Sequence, residues 1–368
     1  MLTFLQVQIA NELNIPFLAQ SGGNGWSTTL DKLNKNGIII NLAGIKAITF
    51  NSNKTQVTLQ GGALISDTVA AGAANNALIP TGICNCVGTL GAILGGGVGN
   101  LMGLHGLGVD NVLSMNVVSP AGTAITVTPQ TNPQLWFALR GAGPNFGIVT
   151  SATIKSYPVA APTGLNAWLG ALVFTSNQLE TLVQAIDQLV LQPQMAIELL
   201  FANSGNASAS PAIILSVFYY GPEEEGKAAY ASIYAVGPVA DETAITPYAK
   251  WNAGGDTACI KGGRKPNFAA GLARMDPATW RAVYEQLGVL IKQPGAENSS
   301  LLMNAYPLAT AQSLAADDAA YPFREELKFS AALTVNYADP AFDATAEEFG
   351  FRVRDLWRAT SGLDGNQT

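Results

Sequence analysis

The sequence is poor in charged residues, in histidine and in cysteine, and each shortage excludes a class of function. Only 12% of its 368 residues are charged, and the net charge is −7. No cluster of lysine and arginine stands out, so the basic surface that nucleic acids require is missing, and we exclude nucleic acid as a partner. A single histidine, His105, and the lack of clustered cysteines leave no credible metal site, so we expect no metal. A Ser-His-Asp hydrolase is disfavoured as well, because no Gly-x-Ser-x-Gly elbow is present.

A long stretch of the chain lacks charge altogether. No charged residue occurs between Asp67 and Asp110, so the stretch has to be tested as a membrane span. A spanning helix needs about 20 consecutive apolar residues. This stretch is instead interrupted by Pro80, several asparagines and a dense series of glycines. We therefore expect closely packed buried backbone and no membrane segment.

The cysteines and sequons bear on the cellular compartment. Three cysteines are too few for a disulfide scaffold, and the spacing of Cys84 and Cys86 seldom forms a bridge, so any pairing leaves at least one thiol. Low charge together with Asn-x-Ser/Thr sequons favours the secretory pathway; the sequons begin at Asn53, Asn206, Asn298 and Asn366. The N-terminus has no basic region followed by an apolar core, so we expect no signal peptide in this chain.

Length and local pattern predict an α+β protein of two domains, residues 1–158 and 159–368. The first domain shows short strands, tight turns and brief helices. Its predicted elements are strands at 38–40 and 57–60, a helix at 64–74, a hairpin of 112–118 and 123–128, and a helix at 134–140 between Asn132 and Gly141. The second domain alternates amphipathic helices with strands. Its predicted elements are helices from Asn177 through Val190, after Pro277 and at 343–359, and strands at 196–201, 212–219 and 333–337.

Several glycine-rich loops are the strongest chemical signal. Glycine permits positive φ and lets main-chain N–H groups approach an anion without a Cβ in the way, which suits a buried pyrophosphate. The loops lack the Gly-x-Gly-x-x-Gly register with a following acidic residue, so a Rossmann site is not supported, and no Gly-Lys-Ser/Thr indicates a P-loop.

The ordered set of motifs resembles the FAD domain of berberine-bridge-enzyme-like oxidases, within the vanillyl-alcohol oxidase and p-cresol methylhydroxylase superfamily, and the fungal type in particular. The resemblance covers about residues 15–158 and rests on the segments 21–25, 82–88, 94–99, 106–111 and 135–150. It implies a PCMH-type FAD-binding domain followed by a substrate domain in which helices cover an antiparallel sheet.

The resemblance also implies which residues contact FAD. The implied cofactor-binding residues are Ser21, Gly22, Gly23, Asn24, Gly25, Cys84, Val87, Gly88, Gly91, Gly95, Gly147, Ile148 and Val149. Cys84 occupies the position that forms a thioether to flavin C6, whereas Cys86 is expected to be a buried small side chain. Asn24 replaces the histidine that supplies the family's other tether, so Cys84 is the sole covalent option. Asp110 and Asn111 are expected to stabilise the loop between these motifs.

The second half resembles the family's substrate domain less specifically. The family's usual N- and C-terminal ends are expected to lie outside this chain, and the catalytic residue stays unknown; Glu198 and the pair Tyr219-Tyr220 are weighed as proton acceptors against ordinary strand residues. The function predicted is an FAD-dependent oxidase, a monomer that takes a small molecule with a CH–OH or CH–N group and passes its electrons to O2. The alternatives are an oxidative cyclase and a non-catalytic FAD-binding remnant.

Overall fold

A computed structural model describes residues 2–25, 33, 36–161, 163–205, 210–322, 324 and 327–363. The chain divides into two compact units: the first comprises Met1–Asn166, Pro247–Cys259 and Leu308–Arg324, and the second comprises Ala167–Thr246, Ile260–Pro307 and Glu325–Thr368. The division predicted from sequence had a single boundary after residue 158. In the structure, two later segments return to the first unit, a connection that local patterns do not reveal.

The described helices are α1 (Leu2–Glu12), α2 (Ile65–Ala74), α3 (Thr89–Ile93), α4 (Met102–His105), α5 (Pro133–Ala142), α6 (Leu179–Gln188), α7 (Glu223–Ala229), α8 (Ala231–Tyr234), α9 (Pro277–Leu290), α10 (Ala309–Gln312) and α11 (Asp343–Thr360). Within the described part of the chain, no helix combines the length and the apolar character that crossing a bilayer requires.

The described strands are β1 (Phe17–Gln20), β2 (Ile38–Asn41), β3 (Ile48–Phe50), β4 (Gln56–Gln60), β5 (Ala77–Leu78), β6 (Val112–Val118), β7 (Ala124–Val127), β8 (Ile148–Lys155), β9 (Tyr157–Pro158), β10 (Asn166–Phe174), β11 (Met195–Ala202), β12 (Ala212–Tyr219), β13 (Ala240–Asp241), β14 (Ala244–Pro247), β15 (Asn267–Leu272), β16 (Ser300–Ala305) and β17 (Phe329–Thr334).

The first unit is organised around a five-stranded antiparallel sheet in the order β3-β4-β8-β6-β7. Alternation along β4 buries Val57 and Leu59 and leaves polar residues on the other face. The buried face packs against α3 and α5 through residues such as Ile93 and Leu139, which form one apolar cluster with the strands. A parallel pair, β1 and β2, precedes this sheet in the chain.

The predicted elements of the first unit are confirmed, including the 112–128 hairpin and the helix that Asn75 ends. The stop predicted at Gly141 is confirmed too, since Gly141 has φ 135° at the end of α5. A Cβ at Gly141 would lie 2.3 Å from the backbone nitrogen of Tyr321, so the returning segment requires glycine there.

The second unit contains an antiparallel sheet in the order β13-β10-β12-β11-β16-β17-β15, and β14 also pairs with β10. Helices α6, α9 and α11 cover one face of the sheet, and alternate strand residues enter the same apolar cluster as these helices. This confirms the predicted antiparallel sheet covered by helices.

Three local predictions for the second unit are wrong in detail. The helix expected from Asn177 begins at Leu179, because a 3-10 turn precedes it and Thr175, not Asn177, forms the capping box with Gln178. The helix ends at Gln188, so Val190 is 83% exposed. The strand expected at 333–337 is β17, whose pairing with β15 ends at Thr334 although burial alternates beyond it.

Candidate functional site

Two glycine loops of the first unit lie backbone against backbone. The first follows β1 and the second precedes α3. A Cβ on Gly22 would lie 2.4 Å from the Gly88 nitrogen and 2.6 Å from the Cys86 carbonyl oxygen. Real Cβ atoms do not approach backbone so closely, so the contact requires glycine. The structure thus brings together two predicted motifs that are distant in sequence, since Asn24 of the first and Cys86 of the second are 62 residues apart.

Ser21 gives this contact its chemical character. Its Oγ lies beside Gly88, where a Cβ would be only 2.1 Å from it. Within the described part of the chain, the Ser21 Oγ is buried and has no hydrogen-bond partner. A buried hydroxyl without a partner costs about 1–3 kcal/mol. The hydroxyl is therefore positioned to bond a group that the described residues do not supply.

The side chain of Asn24 fastens the two loops. In the amide orientation that satisfies both of its polar atoms, Nδ2 donates to the Gly22 carbonyl oxygen at 2.8 Å and to the Cys86 carbonyl oxygen at 3.1 Å. Gly23 has φ 71°, and a Cβ on Gly25 would meet open space. Asn24 therefore holds the loop shape, and its predicted contact with a cofactor stays a prediction.

The cysteines differ from expectation. Cys86 forms a disulfide with Cys259, across 173 residues, so the assignment of Cys86 as a buried small side chain is wrong. The premise that no cysteines cluster is wrong as well, since the three Sγ atoms lie within 4.8 Å of one another. The spacing of the cysteines in the sequence does not predict this cluster, because Cys259 belongs to a distant segment, Pro247–Cys259, that returns to the first unit. Cys84 lies outside the disulfide and is half-buried.

The remaining predicted cofactor residues fall into two groups. Gly88 caps α3, Gly91 lies within α3 and Gly95 follows it; both Gly91 and Gly95 are exposed. Val87 accepts a backbone hydrogen bond from Ile65 at 2.9 Å and thereby ties this loop to α2. In the second group, Gly147 has φ 147°, and the side chains of Ile148 and Val149 enter apolar clusters. Any cofactor contact from Ile148 or Val149 would therefore involve their main chain.

Asp110 and Asn111 stabilise the loop after α4, as predicted. The Asp110 carboxylate accepts from the Leu107 nitrogen at 2.9 Å and forms a buried ion pair with Arg324 at 2.5 Å. Asn111 Nδ2 donates to the carbonyl oxygens of His105 and Leu107 at 2.9 and 2.8 Å. Local sequence patterns do not reveal the partner Arg324, because it lies in the later segment Leu308–Arg324 that returns to the first unit.

His105 is a packing residue. Its ring stacks on Tyr157 with the centroids 3.5 Å apart. Burial lowers the pKa of His105 to about 4, because the charged imidazolium would lose hydration there. At neutral pH the ring is therefore uncharged and acts as an aromatic surface.

A row of polar side chains crosses the sheet of the second unit. Glu198 on β11 lies opposite Ser216 on β12 and Asn304 on β16, and Asn304 lies opposite Ser330 on β17. Their neighbours in each strand, such as Leu199, belong to the cluster under the helices, so alternation places the polar row on the other face. Of the candidates weighed from sequence, Glu198 lies in this row. Tyr219 instead belongs to the buried cluster and donates to Glu225 at 3.2 Å.

The centre of the polar row is poorly hydrated. Desolvation raises the pKa of the Glu198 carboxyl, and the Glu198 charge adds to desolvation in raising the pKa of Tyr306. Asn304 Oδ1 is buried without a hydrogen-bond partner in the described residues. Sequence reasoning missed Ser216, Asn304 and Tyr306. The available signal was that Ser216 and Asn304 are polar residues within apolar strands, but only the register shows that they meet.

Comparison with known proteins decides the family. A family model of an FAD binding domain matches residues 6–128. The FAD-linked oxidoreductase OXR1 of Pyricularia oryzae is 31% identical over 368 residues, which cover 98% of this chain and 71% of that protein. This chain belongs to the FAD-linked oxidoreductases. The oxidoreductase shares its fold with wild-type Physcomitrella patens BBE-like 1, with a TM-score of 0.81 and 18% identity over 98% of this chain and 80% of the other. This shared fold agrees with the resemblance that the motifs indicated.

A second solved structure concerns the cofactor. Glucooligosaccharide oxidase from Acremonium strictum, described with a 6-S-cysteinyl, 8α-N1-histidyl FAD, has a TM-score of 0.81 at 16% identity and matches over 96% of this chain and 77% of its own.

The residues of the oxidoreductase fit FAD, its cofactor. The Ser21 Oγ supplies a buried donor that has no partner among the described residues, and the contact of Gly22 with Gly88 leaves the backbone free of side chains. Such donors suit the oxygens of a pyrophosphate, which carry charge and accept several hydrogen bonds.

Proposed function

We propose that this FAD-dependent oxidoreductase is an oxidase of a small molecule with a CH–OH group, that Glu198 is its acid-base residue and that O2 reoxidises the cofactor. When bound, FAD supplies the chemistry of accepting a hydride equivalent from a substrate carbon. The observation that carries the proposal is the position of Glu198 at the centre of the polar row, directly opposite Asn304.

Two loops of the first unit would hold the cofactor. Ser21 and the main chain around Gly22 and Gly88 would bind the pyrophosphate. Cys84 would attach the flavin covalently at C6, and it would be the single tether because Asn24 is engaged with main-chain oxygens. A thiolate is the nucleophile that such an attachment needs.

Glu198 would take the substrate proton. Oxidation of an alcohol removes a proton from the hydroxyl as well as a hydride from carbon, so it needs a base within hydrogen-bond reach. Because desolvation raises the pKa of Glu198, its carboxylate holds an abstracted proton more strongly than an exposed glutamate does. Asn304 Oδ1 would accept a hydrogen bond from a second substrate hydroxyl.

The test compares Glu198→Gln with Glu285→Gln, an exposed position on α9. A panel of alcohols, sugars and alkaloids first identifies a substrate that reduces the flavin. We expect Glu198→Gln to slow flavin reduction by about 10²- to 10⁴-fold at unchanged flavin content, and Glu285→Gln to match the wild type. The wild-type rate should rise with pH through a pKa above the usual glutamate range, and this limb should vanish in Glu198→Gln.

Two outcomes contradict parts of the proposal. Flavin reduction within a few-fold of the wild-type rate in Glu198→Gln rejects this residue as the base. Flavin that dithionite bleaches but that no compound in the panel reduces favours the non-catalytic alternative. Reoxidation by O2 is measured separately, as hydrogen peroxide formed per flavin reduced.

We also propose a secreted monomer. The sequon asparagines Asn53 and Asn298 are exposed, and Cys86–Cys259 is a bond typical of oxidising compartments. The sequons at Asn206 and Asn366 lie outside the described residues. A mass decrease after peptide N-glycosidase treatment of the protein from its natural host, and elution at the monomer mass, are the expected results.

A further inference from the structure

The Sγ atoms of Cys84, Cys86 and Cys259 lie close together, although covalent flavin attachment requires only the Cys84 Sγ. The Cys84 Sγ lies 3.6 Å from the Cys86 Sγ and 3.8 Å from the Cys259 Sγ. A thiol in contact with both sulfurs of a disulfide is arranged for thiol–disulfide exchange, which proceeds by attack of a thiolate on one sulfur. We infer that Cys84, Cys86 and Cys259 form an exchange site that controls whether position 84 carries a thiol.

The geometry selects the sulfur that is attacked. Attack on Cys86 would join residues 84 and 86, a spacing that seldom accommodates a disulfide. Attack on Cys259 joins two distant segments whose sulfurs are already in contact. The Cys84 Sγ lies beside the existing bond and not in line with it, since its distances to the two sulfurs are similar. A side-chain rotation must therefore precede attack.

The exchange is balanced within the chain. The Cys84 thiolate attacks the Cys259 Sγ, the Cys84–Cys259 bond forms, the Cys86–Cys259 bond breaks, and Cys86 leaves as a thiolate. The proton lost by the Cys84 thiol is taken up by Cys86, so no oxidant or reductant is consumed. One disulfide and one thiol exist before and after the step.

The surrounding structure favours reversibility. The Asn85 side chain donates to the Asp256 carboxylate at 2.7 Å, so the two segments remain joined while either disulfide is broken. The backbone bond from Val87 N to Cys84 O, at 3.2 Å, closes the turn that carries both Cys84 and Cys86. Either cysteine is therefore available to Cys259 without a change of fold.

The consequence for the enzyme rests on the proposed role of Cys84 as the flavin tether. In the form bridged by Cys86 and Cys259, position 84 has the thiolate that attachment needs. In the form bridged by Cys84 and Cys259, it does not. Exchange thus competes with covalent flavin attachment until the flavin is bound to sulfur.

The first measurement locates the thiol. The full chain is purified without reductant, incubated with iodoacetamide at pH 8, quenched in acid and mapped by non-reducing peptide mass spectrometry. Among chains without covalent flavin we expect label on Cys84 in some molecules and on Cys86 in others, the latter with a Cys84–Cys259 bridge. Label on Cys84 alone after prolonged incubation overturns the inference. Cys84→Ser, the control, should take up no label at Cys86.

The second measurement follows covalent flavin by acid precipitation. We expect Cys86→Ser, oxidised with glutathione disulfide during flavin loading, to bind at least tenfold less covalent flavin, because Cys84 is then bridged to Cys259. The double variant Cys86→Ser, Cys259→Ser should regain it. A general loss of folding would affect both variants alike. Wild-type covalent flavin in oxidised Cys86→Ser overturns the inference, whereas flavin absent from every variant, with label still found on Cys86, rejects only the tether.

Discussion

Replacing Ser21 by alanine should change the stability of the apoprotein and the affinity for FAD in opposite directions. Most substitutions in a binding loop weaken both, because the loop serves folding and binding together. Ser21 differs because its Oγ is buried without a partner among the described residues. Folding therefore loses the hydration of this hydroxyl and gains no hydrogen bond in return.

The magnitudes follow from that single atom. Removing a buried hydroxyl that lacks a partner relieves a cost of about 1–3 kcal/mol, less the small packing contact it makes with Gly88. The Ser21→Ala apoprotein should thus be as stable as the wild type or more so. A hydrogen bond to a charged phosphate oxygen contributes about 1.5–3 kcal/mol. Its loss should weaken FAD binding by about 10- to 150-fold.

The assay uses a Cys84→Ser background, so that the flavin dissociates reversibly. Urea unfolding of the apoprotein gives the stability, and quenching of flavin fluorescence gives the Kd. Ser52→Ala, at an exposed position after β3, is the matched control and should change neither quantity. A Ser21→Ala apoprotein that loses stability while its Kd stays unchanged would refute the reasoning, since the hydroxyl would then serve the protein and not the cofactor.

Three further predictions concern residues of the first unit. Gly22→Ala should lower FAD affinity and thermal stability by about 1–3 kcal/mol, because its Cβ meets backbone that cannot yield, whereas Gly44→Ala, with open space around it, should be neutral in calorimetry. His105 is uncharged when folded and has a pKa of about 4, so the unfolded chain binds the proton first as pH falls. Its contribution to stability should drop by about 1–2 kcal/mol between pH 6.5 and 4, allowing for its partial exposure, and the total drop measured in urea titrations should be smaller by that amount in His105→Phe. Asp110→Asn leaves Arg324 buried without its counter-ion and should cost about 3–5 kcal/mol in urea unfolding, whereas Glu223→Gln, in an exposed pair, should leave the midpoint unchanged.

The sequence was informative where the physical requirement is local. A glycine is needed wherever backbone meets backbone, and that need is visible at Gly22 and Gly88 without knowledge of the partner. Turn chemistry likewise gave the hairpin and the end of α5, because Gly141 has a φ that other residues avoid. The glycine loops could therefore be identified from the sequence as sites of close backbone packing before their contact with each other was known.

The polar row was not visible because register is a non-local property. Glu198, Ser216 and Asn304 lie on three strands, and each is only one polar residue in an apolar segment. A shift of one residue in any strand would turn its side chain to the opposite face. Alternation along one strand identifies the faces of that strand, but it does not show which residues of the neighbours share them. Tyr219 illustrates the same limit, since its position in the alternation along β12 places it in the buried cluster and not in the polar row.

The pairing of Cys259 shows why one kind of contact is beyond sequence spacing altogether. The ring closed by Cys86 and Cys259 spans 173 residues, and over such a length the entropy of closure depends only weakly on the exact endpoints. Closure to residue 84 or to residue 86 therefore costs nearly the same. The Cys84 Sγ lies 3.6 Å from the Cys86 Sγ and 3.8 Å from the Cys259 Sγ. Side-chain rotation, and not chain topology, therefore selects which of Cys84 and Cys86 is bonded to Cys259. The near equivalence that hides the pairing from the sequence is thus the same property that makes exchange between the two disulfides feasible.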